Sequence, residues 1–243
     1  MKKLKDRVRM IRLFWRLVFE MLKNYPRLNH DLDHNFQICK KICQKIVRSA
    51  KIQLHTFGSE NLPVKDNFLL VSNHRCFFDV VFLLASIEET LSFVAAKELW
   101  NYPVLRKYLS SIKCVALDRY AQEMDKLKAS ISAMKSSLEM GNLVLFPEGE
   151  CSYHDFRMRK FKKGGFLGLP SAEQRIVPVF LQMDRLRNIG RWMIPQGDVS
   201  IYIGESFAPT EISGKRQTAG EIAAYAQQRI ITMQEQFEKL SED

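Results

Sequence analysis

Residues 69–86 read LLVSNHRCFFDVVFLLAS. An apolar run enters a polar turn around Asn73 to Cys76 and leaves it as a second apolar run long enough for a helix. A strand feeding straight into a helix is the unit from which α/β domains are assembled. Working outward, short runs rich in β-branched and aromatic residues at 52–57, 68–72, 91–95, 113–117, 143–146, 176–182 and 199–203 predict strands. Stretches at 80–87, 104–110, 121–140 and about 218–240 predict helices between and after them. The alternation indicates an α/β domain over residues 51–243, with a central mostly parallel or mixed sheet flanked by helices.

The first 50 residues follow a different pattern. Thirteen Lys/Arg stand there against four Asp/Glu, so nearly all of the formal net charge of +10 lies in this segment and the rest of the chain is close to neutral. Residues 10–25, MIRLFWRLVFEMLKNY, place Ile11, Phe14, Trp15, Val18 and Leu22 at helical i, i+3, i+4 spacing, with Arg9, Arg12, Arg16, Glu20 and Lys23 mostly on the other side. A cationic amphipathic helix carrying Trp and Phe suits an anionic bilayer interface, and its continuous apolar stripe argues against a nucleic-acid arm. Pro26 and the polar run 29–33 break the pattern before a second helix at 36–50. Residues 1–50 therefore read as an amphipathic two-helix membrane-docking arm. The plain alternative is a helix packed on the domain.

Five cysteines, Cys39, Cys43, Cys76, Cys114 and Cys151, contain no CxxC pair. With no cleavable signal sequence recognised, they are expected as reduced thiols in a cytosolic setting. Cys39 and Cys43 are four apart on a helix but lack a second ligand pair for zinc, so no metal site is expected. No apolar segment reaches the ~18–20 residues of a spanning helix.

Three segments carry candidate chemistry. His74 and Asp79 form HxxxxD in the strand-to-helix turn. If the turn folds back, the carboxylate holds one imidazole nitrogen protonated and leaves the other to accept a proton from a hydroxyl. Read alone, the same pair is equally a turn histidine and a helix cap. In NLVLFPEGECSYHDF a strand runs into Pro147, Glu148 and Gly149. Glycine permits close backbone approach there, and the glutamate is placed either to bind a hydroxyl or cation or simply to face solvent. In CVALDRY a strand delivers Arg119, whose planar fork suits a phosphate monoester or a surface ion pair. Arg157, Arg159, Lys160, Lys162 and Lys163 concentrate positive charge around FKKGG.

In order, SNHRCFFD, CVALDRY, LFPEGECS and IVPVF resemble the four blocks of the glycerophospholipid acyltransferase family typified by bacterial 1-acyl-glycerol-3-phosphate acyltransferases. GSENLP, AAKELW and FKKGG are lesser matches. The likeness spans about residues 50–210, and the two-helix arm is similar to the family's membrane-docking element. It implies that His74 is the general base and Asp79 its partner. Arg119, Glu148 and Gly149 match acceptor-binding positions, with Lys162 and Lys163 added as phosphate-attracting cations. Pro178 matches a proline linked to donor binding or site shape. Two departures stand out. The third block commonly reads FPEGTRS, so Glu150 and Cys151 replace a threonine and an arginine, and an acid there should weaken binding of an anionic acceptor unless Lys162 or Lys163 compensates. The usual glycine before the second block's strand is absent from LRKYLSSIKC.

The resemblance implies transfer of a fatty acyl group from acyl-CoA or acyl carrier protein to a hydroxyl of 1-acyl-glycerol-3-phosphate in phospholipid biosynthesis. It requires no cofactor and places the chain peripherally or monotopically on the anionic inner leaflet, at the cytoplasmic face of the cell membrane. Acylation of glycerol 3-phosphate or another lysophospholipid is an alternative within the family. A non-catalytic lipid-binding protein is an alternative outside it. A serine lipid hydrolase is disfavoured because no GxSxG turn occurs.

Overall fold

The computed structural model describes residues 2–118, 124–151, 158–189, 192–213, 215 and 217–240. Helices α1 (Lys2–Asn24) and α2 (Leu32–Ser49) precede strand β1 (Gln53–Phe57). There follow β2 (Phe68–Ser72), α3 (Phe78–Ser86), β3 (Leu91–Ala96), α4 (Pro103–Ser111) and β4 (Val115–Leu117). Helix α5 (Met124–Met140) and β5 (Asn142–Leu145) lead to the long pair β6 (Arg175–Ile189) and β7 (Trp192–Ile203), and α6 (Ala219–Leu240) comes last.

The seven strands form one mixed sheet in the order β1-β7-β6-β2-β5-β3-β4. All neighbours are parallel except β6 and β7, so β1 and β7 run against the other five. Strand β2 occupies the centre because FLLVS is apolar on both faces and every residue is buried. Its side chains alternate between two cores. Phe68 and Leu70 join Phe36, Ile46, Phe82 and Ile201 beneath α1 to α4, while Leu69 and Val71 join Met134, Leu138, Phe180 and Ile230 beneath α5 and α6. The result is three layers, with helices on both faces of the sheet.

The observed elements differ from the expected ones where side-chain detail outweighs apolar period. Helix α2 begins at Leu32, four residues before the apolar run, because the Asp31 side chain accepts the backbone N–H of His34 at 3.1 Å. The β6–β7 pair extends well past residues 182 and 199, as far as Ile189 paired with Trp192, because two consecutive antiparallel strands zip through their backbones whatever the side-chain pattern. Helix α6 is capped reciprocally by Thr218 and Glu221, the Thr218 N–H reaching the glutamate at 2.7 Å and the Glu221 N–H reaching Thr218 Oγ1 at 3.3 Å.

The two N-terminal helices have different environments. Helix α2 is a core element, with Phe36 fully buried and the Lys40 ammonium also buried, donating to the Ile87 carbonyl at 2.9 Å and pairing with Glu88 at 2.6 Å. Helix α1 lies over it and turns Met10, Leu13, Leu17 and Met21 inward. Tyr108 of α4 donates to the Met21 carbonyl at 2.7 Å, and Lys45 of α2 pairs with the buried Glu20 at 2.8 Å. Ile11, Phe14, Trp15 and Leu22 point outward, together with Val8 and Phe19, whereas Val18 is half-buried. Helix α1 thus has two apolar faces, and the stripe expected from the sequence is the outer one. Among the described residues no helix is long and apolar enough to cross a membrane.

Phe36→Ala should cost about 3–5 kcal/mol, the penalty for emptying a fully buried aromatic site. Urea denaturation measures it, and a loss below 1 kcal/mol would show that α2 is a detachable appendage.

Candidate active site

The loop from β2 to α3 is built around one carboxylate. Asp79, in the first turn of α3, is fully buried, and its Oδ2 accepts the backbone N–H groups of Arg75 at 2.6 Å and Cys76 at 2.9 Å. The same oxygen meets His74 Nδ1 at 2.7 Å, and Cys76 Sγ donates to Oδ1 at 3.4 Å. A buried carboxylate requires such partners, and gathering them folds the chain back so that His74 is fixed in place. Just upstream, Asn73 is also fully buried and bridges to β6, donating to the Leu181 carbonyl at 3.0 Å and accepting its N–H at 2.8 Å. Backbone on both sides of His74 is therefore anchored.

The imidazole is further confined by Phe146, whose ring stacks on it with centroids 4.2 Å apart. With Nδ1 on Asp79, the remaining nitrogen Nε2 faces Cys151, whose Sγ lies at 3.1 Å. Burial opposes charge on the ring, but the hydrogen bond to Asp79, followed by that to Cys151, outweighs it and raises the His74 pKa from 6.5 to about 10.

The loop after β5 closes the site from the other side. Gly149 adopts φ +79°, a conformation that glycine enters without strain, and its N–H returns to the Phe146 carbonyl at 3.1 Å. Glu148, expected to bind acceptor, is engaged by the protein's own backbone. It is 2% exposed, and its two oxygens accept the backbone N–H groups of His74 at 2.7 Å and Arg159 at 2.9 Å, tying the β2–α3 loop to the segment that carries the lysines. Lys162 is held by its N–H to the Pro147 carbonyl at 2.9 Å, and its ammonium lies over Gly149, 2.8 Å from where a Cβ would stand. Lys163 is exposed at the start of a short 3-10 turn. The acidic Glu150 is neutralised by Arg159, which forms an ion pair with it, rather than by either lysine. Gly165 of FKKGG packs against Leu145, where a Cβ would come within 2.4 Å of the leucine methyl. Arg119 and Arg157 lie outside the described residues.

A cavity of about 510 Å³ is bordered by His74, Gly149 and Cys151 and by residues of the sheet and of the helices of the first core. Its walls are mostly apolar, with Val81 and Leu84 of α3, Leu109 of α4, Cys43 of α2 and Leu17 and Met21 on the inner face of α1. Cys39 and Cys114 also line it, and burial pushes both thiols up to about 12, so they behave as small apolar wall residues. Pro178 does not contribute to this wall. It is buried in β6 in register with Val71 of β2, and its carbonyl accepts the Gly204 N–H at 2.9 Å.

The model of the family described as Acyltransferase matches residues 53–182, a little over half of the chain. This protein belongs to the Acyltransferase family. The matched span runs from β1 into β6 and includes His74, Gly149 and Cys151. A chloroplast protein of Arabidopsis thaliana named 1-acyl-sn-glycerol-3-phosphate acyltransferase LPAT1 is 32% identical over 141 residues, 54% of this chain and 38% of its own length. Proteins named 1-acyl-sn-glycerol-3-phosphate acyltransferase from Helicobacter pylori and Bacillus subtilis are 24% and 21% identical, covering 61% and 81% of this chain. The chain spans 61% of the Helicobacter protein and 96% of the Bacillus one. The crystal structure of the 1-acyl-sn-glycerophosphate (LPA) acyltransferase PlsC from Thermotoga maritima superposes with a TM-score of 0.75 at 21% identity over 98% of both chains, so the two share a fold.

Within this Acyltransferase-family site, sequence reasoning missed Cys151 and Phe146 as neighbours of the imidazole. The only advance signal was that Cys151 departs from the family pattern. Asp79→Asn should lower the His74 pKa, because it removes the charge that offsets burial. An NMR titration of the imidazole nitrogens should show a transition well above 6.5 in the native chain and a downward displacement in the variant. An unmoved transition would separate Asp79 from the titration.

Proposed function

We propose that this chain transfers a fatty acyl group from an acyl thioester to the free hydroxyl of 1-acyl-glycerol-3-phosphate, as an O-acyltransferase of phospholipid biosynthesis. The observation that carries the reading is a buried His–Asp pair opening onto an apolar cavity whose far wall is the inner face of α1. A polar reacting centre joined to a long apolar space suits an acyl chain with a carbonyl at one end. The names of the Arabidopsis, Helicobacter and Bacillus relatives support the same acceptor.

In this reading the neutral fraction of His74, kept small near pH 7 by its raised pKa, takes the proton from the acceptor hydroxyl at Nε2 as the oxygen attacks the thioester carbonyl, and Asp79 stabilises the imidazolium that forms. The departing thiol is a good leaving group and takes the proton back. Base catalysis contributes on the order of 10² to 10⁴ in rate, so positioning and oxyanion stabilisation supply the remainder. No cofactor is needed. Lys162 at Gly149, with Lys163 and Arg119, supplies positive charge for the acceptor's phosphate. Acyl-CoA and acyl carrier protein both fit as donors.

The outer face of α1 serves as the membrane dock, through Ile11, Phe14, Trp15 and Leu22 with Val8 and Phe19 added, and with Arg12, Arg16 and Lys23 exposed on the same helix. The dock would hold the chain peripherally or monotopically on an anionic surface at the cytoplasmic face of the cell membrane. Because the opposite face of that helix lines the cavity, an acyl chain could pass between bilayer and site along α1 without entering water.

His74→Ala should reduce kcat with palmitoyl-CoA and lysophosphatidate by at least 10²-fold while circular dichroism stays native. Undiminished turnover would remove the histidine from the chemistry. A parallel panel of acceptors should rank lysophosphatidate above phosphate-free monoacylglycerol, and Lys162→Ala should raise its KM. Turnover of the phosphate-free acceptor alone would refute the phosphate role. Trp15→Glu combined with Phe19→Glu should abolish flotation with vesicles containing phosphatidylglycerol, and retained flotation would locate the dock elsewhere.

A further inference from the structure

Cys151 sits where direct transfer would have the acceptor hydroxyl donate its proton. Since His74 Nδ1 is committed to Asp79, Nε2 is the nitrogen available as base, and Cys151 Sγ is the group in contact with it at 3.1 Å. Both side chains border the apolar cavity. A thiol on a histidine that is oriented by a buried carboxylate reproduces the nucleophile, base and orienting group of covalent acyl transfer. The other cysteines lack this arrangement: burial makes Cys39, Cys43 and Cys114 poor nucleophiles, and Cys76 lies against the carboxylate of Asp79 rather than the base.

We propose that Cys151 is a catalytic nucleophile that accepts the acyl group from the donor thioester, so that transfer proceeds through a Cys151 thioester. The inference rests on the acyl-thioester reading of the cavity. In the first half-reaction His74 Nε2 takes the Cys151 proton as Sγ attacks the donor carbonyl carbon. The new C–S bond forms, the tetrahedral oxyanion collapses, the donor's C–S bond breaks, and the donor thiolate leaves with the proton from His74. One thioester is exchanged for another, and no oxidant or reductant is involved. In the second half-reaction His74 takes the proton of the acceptor hydroxyl, the oxygen attacks the Cys151 thioester, the C–O bond forms as the C–S bond breaks, and the proton returns to Cys151.

The two-step route also answers how one histidine handles substrates from different phases. The donor thiol departs before the acceptor arrives, and the acyl chain waits in the cavity in the meantime.

The native full-length chain should catalyse exchange of labelled free CoA into palmitoyl-CoA with no acceptor present. Under the same conditions intact-protein mass spectrometry should find one palmitoyl group per chain, mapped to Cys151, released by hydroxylamine and discharged by lysophosphatidate. Cys151→Ala, with native circular dichroism, should lose the label, the exchange and at least 100-fold in kcat. Acyl transfer by the native chain without exchange or label, or full turnover by Cys151→Ala, overturns the nucleophile while leaving the proposed activity standing. Absence of exchange, label and transfer to every acceptor overturns both.

Discussion

A carboxylate removed entirely from water is the constraint on which the rest of the site depends. Asp79 has no solvent contact, and an ion in that position is tolerated only with a full set of donors. The chain provides them by curling the β2–α3 turn so that two consecutive backbone amides and the imidazole converge on one oxygen. The geometry at His74 is thus a by-product of desolvation: satisfying the carboxylate fixes the orientation of the histidine. Glu148 repeats the device one loop away, spending its two oxygens on backbone amides of separate segments. Two buried acids, each bonded to backbone amides, hold the framework around His74.

Much of this was legible in the sequence because it is local. An apolar strand, a polar turn and an apolar helix are contiguous in residues 68–86, so their existence follows from the sequence, and the five-residue spacing lets His74 reach Asp79 once the turn folds back. Central placement of β2 follows equally from FLLVS having no polar face. What escaped notice depends on residues remote in the chain. Cys151 meets His74 only because Glu148 and Phe146 dock the β5 loop against the β2 loop. Glu148 looked like a ligand because its local sequence is a turn, and nothing in that turn shows that its partners are amides at positions 74 and 159. The neutralisation of Glu150 by Arg159 rather than by Lys162 or Lys163 is likewise a matter of loop path.

Helix α1 illustrates a different limit. Its period of apolar residues was read correctly as one stripe, yet a second stripe, Met10, Leu13, Leu17 and Met21, runs along the opposite side. A helix with two apolar faces separated by narrow basic flanks has no unique inside when seen in isolation. The choice is made by what already exists to cover one of them, here α2 and α4, anchored by Tyr108 and Lys45. Helix α2, with its buried Lys40 satisfied by Ile87 and Glu88, is as much part of the core as the sheet is.

The strand order has a consequence for how the molecule is made. Among the described residues strand β1 pairs with β7 alone, with Gln53 aligned on Asp198. Pairings between residues so far apart close late and slow the search for the native topology. Until β7 emerges and the β6–β7 pair forms, β1 is an exposed edge while the aromatic outer face of α1 has already been synthesised.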